Sequence, residues 1–116
     1  MTVKLLLLKS GEDIVADVSE MSVNDRVVGY YLDCPHKAKL IAEVAKEGTT
    51  RHRSRIQMMP WVPLSKDRVI PVPSDWVVTM VEPHEELVDM YLKQRKKIDE
   101  AETASDDEQS YFTDSD

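Results

Sequence analysis

The sequence has few of the residues on which several protein classes depend. It has one cysteine, Cys34, so an intramolecular disulfide and a four-cysteine zinc site are both excluded. Its three glycines form no phosphate-binding loop, and no nucleophile or zinc-protease motif occurs. No apolar run approaches the roughly 18 residues that span a membrane, and no signal peptide is recognisable. We therefore expect a cytoplasmic protein that is neither an enzyme nor a membrane protein.

Acidic residues are concentrated at one end of the chain. The 116 residues carry a net charge of -7, from 22 acidic residues against 15 Lys and Arg. Eight of the acids lie in residues 99–116, where no Lys or Arg occurs, so the preceding part is nearly neutral, with 14 acids against 15 bases. This tail has too few apolar residues to order itself and is predicted to be disordered. It is either a solubilising tail or one that docks a protein partner or mimics a nucleic acid, with Tyr111 and Phe112 as the anchor.

Alternating apolar residues between turn signals predict short antiparallel strands over most of the first 82 residues. The predicted strands cover residues 3–9, 14–18, 27–32, 38–45, 54–64, 69–72 and 76–81. The fourth of them also has helical propensity, but its neighbours favour a strand. Pro35 lacks the N–H that a strand ladder needs, so we expect a bulge or a bend there. The protein should therefore be mainly β.

One amphipathic helix is predicted after the strands. Pro83 suits the first helical position, glutamates follow at the positive end of the helix dipole, and basic residues lie at its negative end. An apolar stripe that includes Leu87 and Tyr91 completes the pattern. The chain is thus divided into a β domain over residues 1–82, a helix over residues 83–98 and an acidic tail over residues 99–116.

Two local groups of residues could carry chemistry. Cys34 and His36 would share one face of a strand, as a reactive pair or a metal pair would. No third group that would orient such a pair is visible, so a buried thiol beside a surface imidazole is the favoured interpretation. Arg51, Arg53 and Arg55 form a local concentration of positive charge. Guanidinium groups bind phosphate with two hydrogen bonds and stack on bases. This basic stretch is either a solvated loop, a partner for acids of a neighbouring subunit, or a nucleic-acid contact.

Two stretches resemble Sm-like (LSm or Hfq-type) proteins. Residues 3–18, VKLLLLKSGEDIVADV, resemble the first motif block of that family, in which an apolar strand leads to a glycine and a second strand. Residues 60–83, PWVPLSKDRVIPVPSDWVVTMVEP, are similar to the C-terminal half of small Sm-like proteins encoded by tailed phages of marine cyanobacteria. The resemblance implies a small, strongly bent, five-stranded antiparallel barrel, here with a C-terminal helix, whose copies join into a ring. Members of the family commonly bind single-stranded, often uridine-rich RNA.

The resemblance leads to two hypotheses of function. The first is a ring-forming Sm-like protein that binds single-stranded RNA, as a phage regulatory factor in the host cytoplasm. The second is an oligomeric adaptor or structural protein that has the Sm fold and does not bind RNA, which the nearly neutral body and the acidic tail favour. No cofactor or metal is expected. The predicted phosphate contacts are Arg51, Arg53, Arg55, Lys66 and Arg68, and the predicted base-stacking residues are Trp61 and Tyr31. The predicted subunit interface is the apolar edge strand of Trp76, Val77, Val78, Thr79, Met80 and Val81.

Overall fold

The computed structural model describes residues 1–43 and 53–112 and consists of one antiparallel sheet and a C-terminal helix. The strands are β1 (Val3–Leu8), β2 (Asp13–Val23), β3 (Arg26–Glu43), β4 (Arg53–Pro60), β5 (Val69–Pro73) and β6 (Val77–Val81), and the helix α1 spans Glu85–Phe112. A single 3-10 turn, Ser74–Trp76, precedes β6. The predicted mainly β fold with a C-terminal helix is confirmed.

The sheet is open and has six strands, whereas the resemblance implied a closed barrel of five. The strand order is β4-β3-β2-β1-β6, and β5 pairs with β3 on the same side as β4. The long strand β3 accommodates both neighbours, because β4 pairs with residues 36–43 and β5 with residues 29–33. Two short strands therefore lie along one side of β3, and β6 forms the opposite edge of the sheet.

The bulge predicted at Pro35 occurs in the middle of β3. On β2, Val15 pairs with His36 and Asp17 pairs with Asp33, so two residues of β3 lie opposite one of β2. Cys34 takes a left-handed backbone conformation there, with φ of 50°. One extra residue reverses the faces to which side chains point. The residues of β3 before and after the bulge therefore contribute to different faces of the sheet.

Both faces of the sheet are buried over part of their area. One face carries a core cluster formed by Leu6, Leu8, Ile14, Ala16, Val18, Leu32 and Val72. The other face is covered by α1, and the second cluster consists of Val15, Cys34, Ala38, Leu87 and Tyr91. Successive leucines of β1 point to alternate faces, so burial on both sides explains its uninterrupted apolar run.

Several element boundaries differ from the predicted ones. The two strands predicted before and after Pro35 are one continuous strand, β3, and β4 ends at Pro60 because the chain then turns away from the sheet. Trp76 belongs to the 3-10 turn rather than to β6. The helix begins at Glu85 and continues to Phe112, past the predicted end at residue 98. Residues 44–52 and 113–116 lie outside the described residues.

Candidate functional site

The outer edge of β6 is the first candidate site. β6 pairs with β1 along one side, and no described strand pairs with its other side. Val78 is 60% exposed, and Trp76 and Val81 are also exposed. An unpaired edge with apolar side chains is a template for pairing with another chain. Within the described residues, the strand predicted as the interface is thus free to pair.

On the opposite side of the sheet, the outer edges of β4 and β5 differ in their capacity to pair with a further strand. β5 contains Pro71 and Pro73, which have no N–H. Prolines within a sheet direct the nitrogen away from the neighbouring strand, so the outer edge of β5 has few hydrogen-bond donors. β4 has a single proline, Pro60, at its last residue. The outer edge of β4 can therefore complete a ladder with a further strand, whereas the edge of β5 cannot.

Arg68, one of the predicted phosphate contacts, forms ion pairs within the molecule. Its Nε lies 2.9 Å from Oδ1 of Asp33, and its Nη1 lies 2.5 Å from Asp99 and 2.8 Å from Glu102. The hydrogen bond to Asp33, together with those to the two helix carboxylates, raises the pKa of Arg68 above its ordinary value. The Arg68 side chain is 25% exposed, and it joins β3 to α1 rather than facing a ligand.

The other predicted RNA contacts are only partly brought together. Arg51 and the side chain of Arg53 lie outside the described residues, and Arg55 is exposed on β4 opposite Ile41. Lys66 is exposed in the turn after β4. These positions do not form one compact basic patch within the described part of the chain.

The two predicted stacking residues differ in exposure. Trp61 is half-buried and packs against the core cluster of Leu6, while its backbone N–H donates to the Pro35 carbonyl at 3.1 Å. It is therefore a core residue rather than an open stacking surface. Tyr31 is 42% exposed on β3, opposite Pro71 of β5. Tyr31 remains available for stacking.

Cys34 and His36 do not form a reactive pair. Both side chains are buried, so the expectation of a surface imidazole is wrong. His36 is buried because α1 covers this face of the sheet. The Nδ1 of His36 lies 2.8 Å from the backbone oxygen of Cys34, not from its sulfur. Burial raises the pKa of the Cys34 thiol to about 11, and the Asp33 carboxylate adds to the shift. The thiol is therefore protonated at neutral pH and is a poor nucleophile.

A polar cluster between α1 and the bulge escaped sequence analysis. The Tyr91 hydroxyl accepts a hydrogen bond from the Asp17 N–H at 3.0 Å and donates to the Asp33 carbonyl at 2.5 Å. Arg95 lies 2.8 Å from the carboxylate of Asp17 and 2.7 Å from that of Asp33. Tyr91 and Arg95 are four residues apart and thus share one side of α1, which is the one sequence signal for this cluster. It fixes the helix on the sheet.

An apolar groove lies between the first turn of α1 and the far ends of β3 and β4. Its volume is about 440 Å³. Its apolar wall is formed by Leu5, Ala38, Leu40, Ile56 and Leu87, and Asp13, His84 and Glu86 lie at its rim. No sequence pattern indicates this groove, because its residues come from five elements, β1 to β4 and α1, that are distant along the chain.

Two kinds of site are absent from the described residues. No group of three or more His, Cys, Asp or Glu is placed to hold a metal ion in the described part of the chain. Within the same residues, no helix has the length and apolar character needed to cross a membrane.

Comparison with known proteins gives a family but no activity. No curated protein matches the chain. A family model does match, over residues 1–96, and it is described as a family of unknown function. The match includes all six described strands and α1 as far as residue 96, and it stops before the acidic residues that begin at residue 99. On this match the chain belongs to the family of unknown function DUF6561.

Proposed function

We propose that this protein is an Sm-like subunit that assembles through β6 into a ring of identical copies and binds single-stranded RNA. The observation that carries the proposal is the unpaired, apolar outer edge of β6. Because β6 and β4 are different edges of the same sheet, pairing β6 of one copy with β4 of the next is a heterologous contact, which closes into a ring when the rotation is suitable.

Two exposed side chains support the RNA part of the proposal. Arg55, one of the predicted phosphate contacts, is exposed on β4. Tyr31 presents a half-exposed ring on which a base can stack, a contact worth about 1–3 kcal/mol. Each copy supplies few contacts, but a ring repeats them, and the effective concentration raises the affinity.

A second candidate function is an oligomeric adaptor without RNA. The observation that favours it is Arg68, whose charge is neutralised by Asp33 and by two carboxylates of α1. Such an adaptor would have the same assembly but would not bind RNA. A measurement of RNA binding therefore distinguishes the two functions, whereas the oligomeric state does not.

The assembly is tested by light scattering on the full chain and on Val78→Lys. A lysine at the exposed edge leaves the fold intact but interferes with strand pairing. We expect a wild-type oligomer and a monomeric Val78→Lys variant. The matched control is Val23→Lys, which places the same charge on an exposed valine at the end of β2. A wild-type monomer at micromolar concentration would refute the ring.

RNA binding is tested by fluorescence anisotropy with uridine-only and adenine-only oligonucleotides. We expect affinity to fall with salt, by a log–log slope of roughly 0.7 per phosphate contact, and Arg55→Ala to reduce that slope. Tyr31→Ala should weaken binding without changing the slope. Lys97→Ala, on the exposed part of α1, is the control. Absence of binding to both oligonucleotides by an intact oligomer would select the adaptor.

A further inference from the structure

The turn between β4 and β5 presents a rigid apolar projection. Leu64 is 99% exposed, and Val62 beside it is also exposed. The Ser65 N–H donates to the Val62 carbonyl at 3.1 Å, and the Asp67 N–H donates to the Ser65 hydroxyl at 3.0 Å. Pro60 and Pro63 further restrict the backbone on both sides of Val62. The Leu64 side chain is therefore held in solvent by an ordered turn, which lowers the entropic cost of burying it against a partner.

The apolar groove beside α1 has properties that complement this turn. Its volume of about 440 Å³ lies in the range of sites that enclose a ligand. Leu40, which forms part of its wall, is 72% exposed. The exposed residues that line it include His84 and the carboxylates of Asp13 and Glu86, whereas the Lys39 side chain belongs to the opposite face of β3, so the groove bears an excess of negative charge. An apolar group followed by a cation fits such a groove in both shape and charge.

The turn contains that combination, because Lys66 follows Leu64 by two residues and makes no ion pair with the described residues. The turn begins after the last residue of β4, whereas the groove lies beside Ser54 and Ile56 near the first. Leu64 is almost fully exposed, so it does not occupy the groove of its own chain. We propose that the turn of one copy, with Leu64 at its tip, inserts into the groove of a second copy, with Lys66 facing the rim carboxylates.

This contact is heterologous, since the turn and the groove are different surfaces and each copy has one of each. It deepens the assembly part of the proposed function and rests on it, because it names a second surface through which neighbouring copies meet. It needs no strand pairing, so the two contacts can be disrupted separately.

The first test measures oligomer dissociation on dilution for the wild type, Leu64→Asp and Leu40→Asp. Both residues are largely exposed, so neither variant should change the circular dichroism spectrum. We expect each variant to raise the midpoint concentration of dissociation by at least about tenfold, since each places a charge in an apolar contact. Val23→Asp, at an exposed valine outside both surfaces, is the control.

The second test uses charge reversal with rescue. Lys66→Glu should weaken the oligomer, and Glu86→Lys in the same chain should restore it, because the opposite charges again face each other. Lys97→Glu is the matched control. Restoration by the second substitution would not follow from a general loss of stability.

The outcomes separate this inference from the proposed ring through β6. If Leu64→Asp and Leu40→Asp keep the wild-type midpoint while Val78→Lys dissociates, the groove contact is refuted and the β6 contact stands. If the two leucine variants dissociate while Val78→Lys does not, the groove contact stands without the strand pairing. A wild-type protein that is monomeric at micromolar concentration refutes both.

Discussion

At the scale of single residues, the Tyr91 hydroxyl hydrogen-bonds to both strands beside the bulge. Asp17 of β2 and Asp33 of β3 are the pair of residues that lies beside the bulge. Buried backbone groups need a partner, and one hydroxyl supplies it to both by accepting from the first and donating to the second. The helix is thus attached to the sheet at the bulge.

We expect Tyr91→Phe to lower the free energy of unfolding by about 1–3 kcal/mol, because it leaves a partly buried donor and a partly buried acceptor without the hydroxyl that now bonds both. Urea denaturation followed by circular dichroism measures the effect. Tyr31→Phe removes an exposed hydroxyl and should change the stability little. Equal stability of the Tyr91→Phe variant and the wild type would show that another group can bridge the bulge.

Asp17 should make the stability depend on pH in the acid range. Burial raises the pKa of this carboxyl, but the hydrogen bonds from the Thr2 N–H and from Arg95 outweigh burial, and the pKa lies below its ordinary value of 3.8. A group whose pKa is lower in the folded state stabilises the fold fully above its unfolded value. That contribution is lost as the pH falls below 3.8 and through the folded pKa.

Asp17→Asn should remove this part of the pH dependence. Urea denaturation from neutral pH to roughly pH 3 compares the variant with the wild type, and the two curves should converge at the acid end. Asp89→Asn, an exposed position of α1, is the control and should follow the wild-type curve. Parallel curves for Asp17→Asn and the wild type would assign the acid sensitivity to other carboxyls.

At the scale of elements, α1 is held in two different ways along its length. Leu87 and Tyr91 are buried against the sheet, so the first half is fixed by packing. Farther along, Asp99 and Glu102 pair with Arg68, but their side chains are 53% exposed. Exposed ion pairs are screened by solvent and contribute about 0.2–1 kcal/mol. The ion pairs of Asp99 and Glu102 therefore attach α1 only weakly.

Truncation of α1 separates these contributions. A chain that ends at Thr103 retains both partners of Arg68 and should have the melting temperature of the full chain. A chain that ends at Ile98 loses both and should be less stable by up to about 1 kcal/mol, with a difference that shrinks at high salt. The full-length double variant Asp99→Asn with Glu102→Gln should reproduce that loss. A larger loss on ending at Thr103 would show that the residues beyond it dock on the body.

Local patterns predicted the elements better than the contacts between them. Alternation identified the strands, and the missing N–H of Pro35 was enough to predict the bulge. The role of Arg68 could not be predicted, because its carboxylate partners lie more than thirty residues away on β3 and α1. The burial of His36 likewise depends on the helix that covers it. The helix was predicted to end at residue 98 because acidic residues follow, but it continues to Phe112. The charge pattern does not show that two of these acids, Asp99 and Glu102, form ion pairs with Arg68.

At the scale of the whole molecule, assembly should be visible in the stability. A subunit that binds another copy only in the folded state is stabilised by mass action, so its melting temperature rises with protein concentration. We expect this dependence for the wild type and its loss for Val78→Lys, whose exposed edge carries a charge. Differential scanning calorimetry at several concentrations measures it. A melting temperature that is independent of concentration for both proteins would contradict assembly through β6.

The bulge in β3 also makes the chain intolerant of deletions at one place. Leu32, before it, belongs to one core cluster, and Ala38, after it, belongs to the other. Deleting Pro35 would restore a regular ladder but exchange the positions of alternate residues from that point onward. Lys37 and Lys39 would then point at α1, and Ala38 would face away from it. An insertion of two residues would keep each later side chain on its present face. Insertions or deletions of an even number of residues should therefore be tolerated here better than those of an odd number.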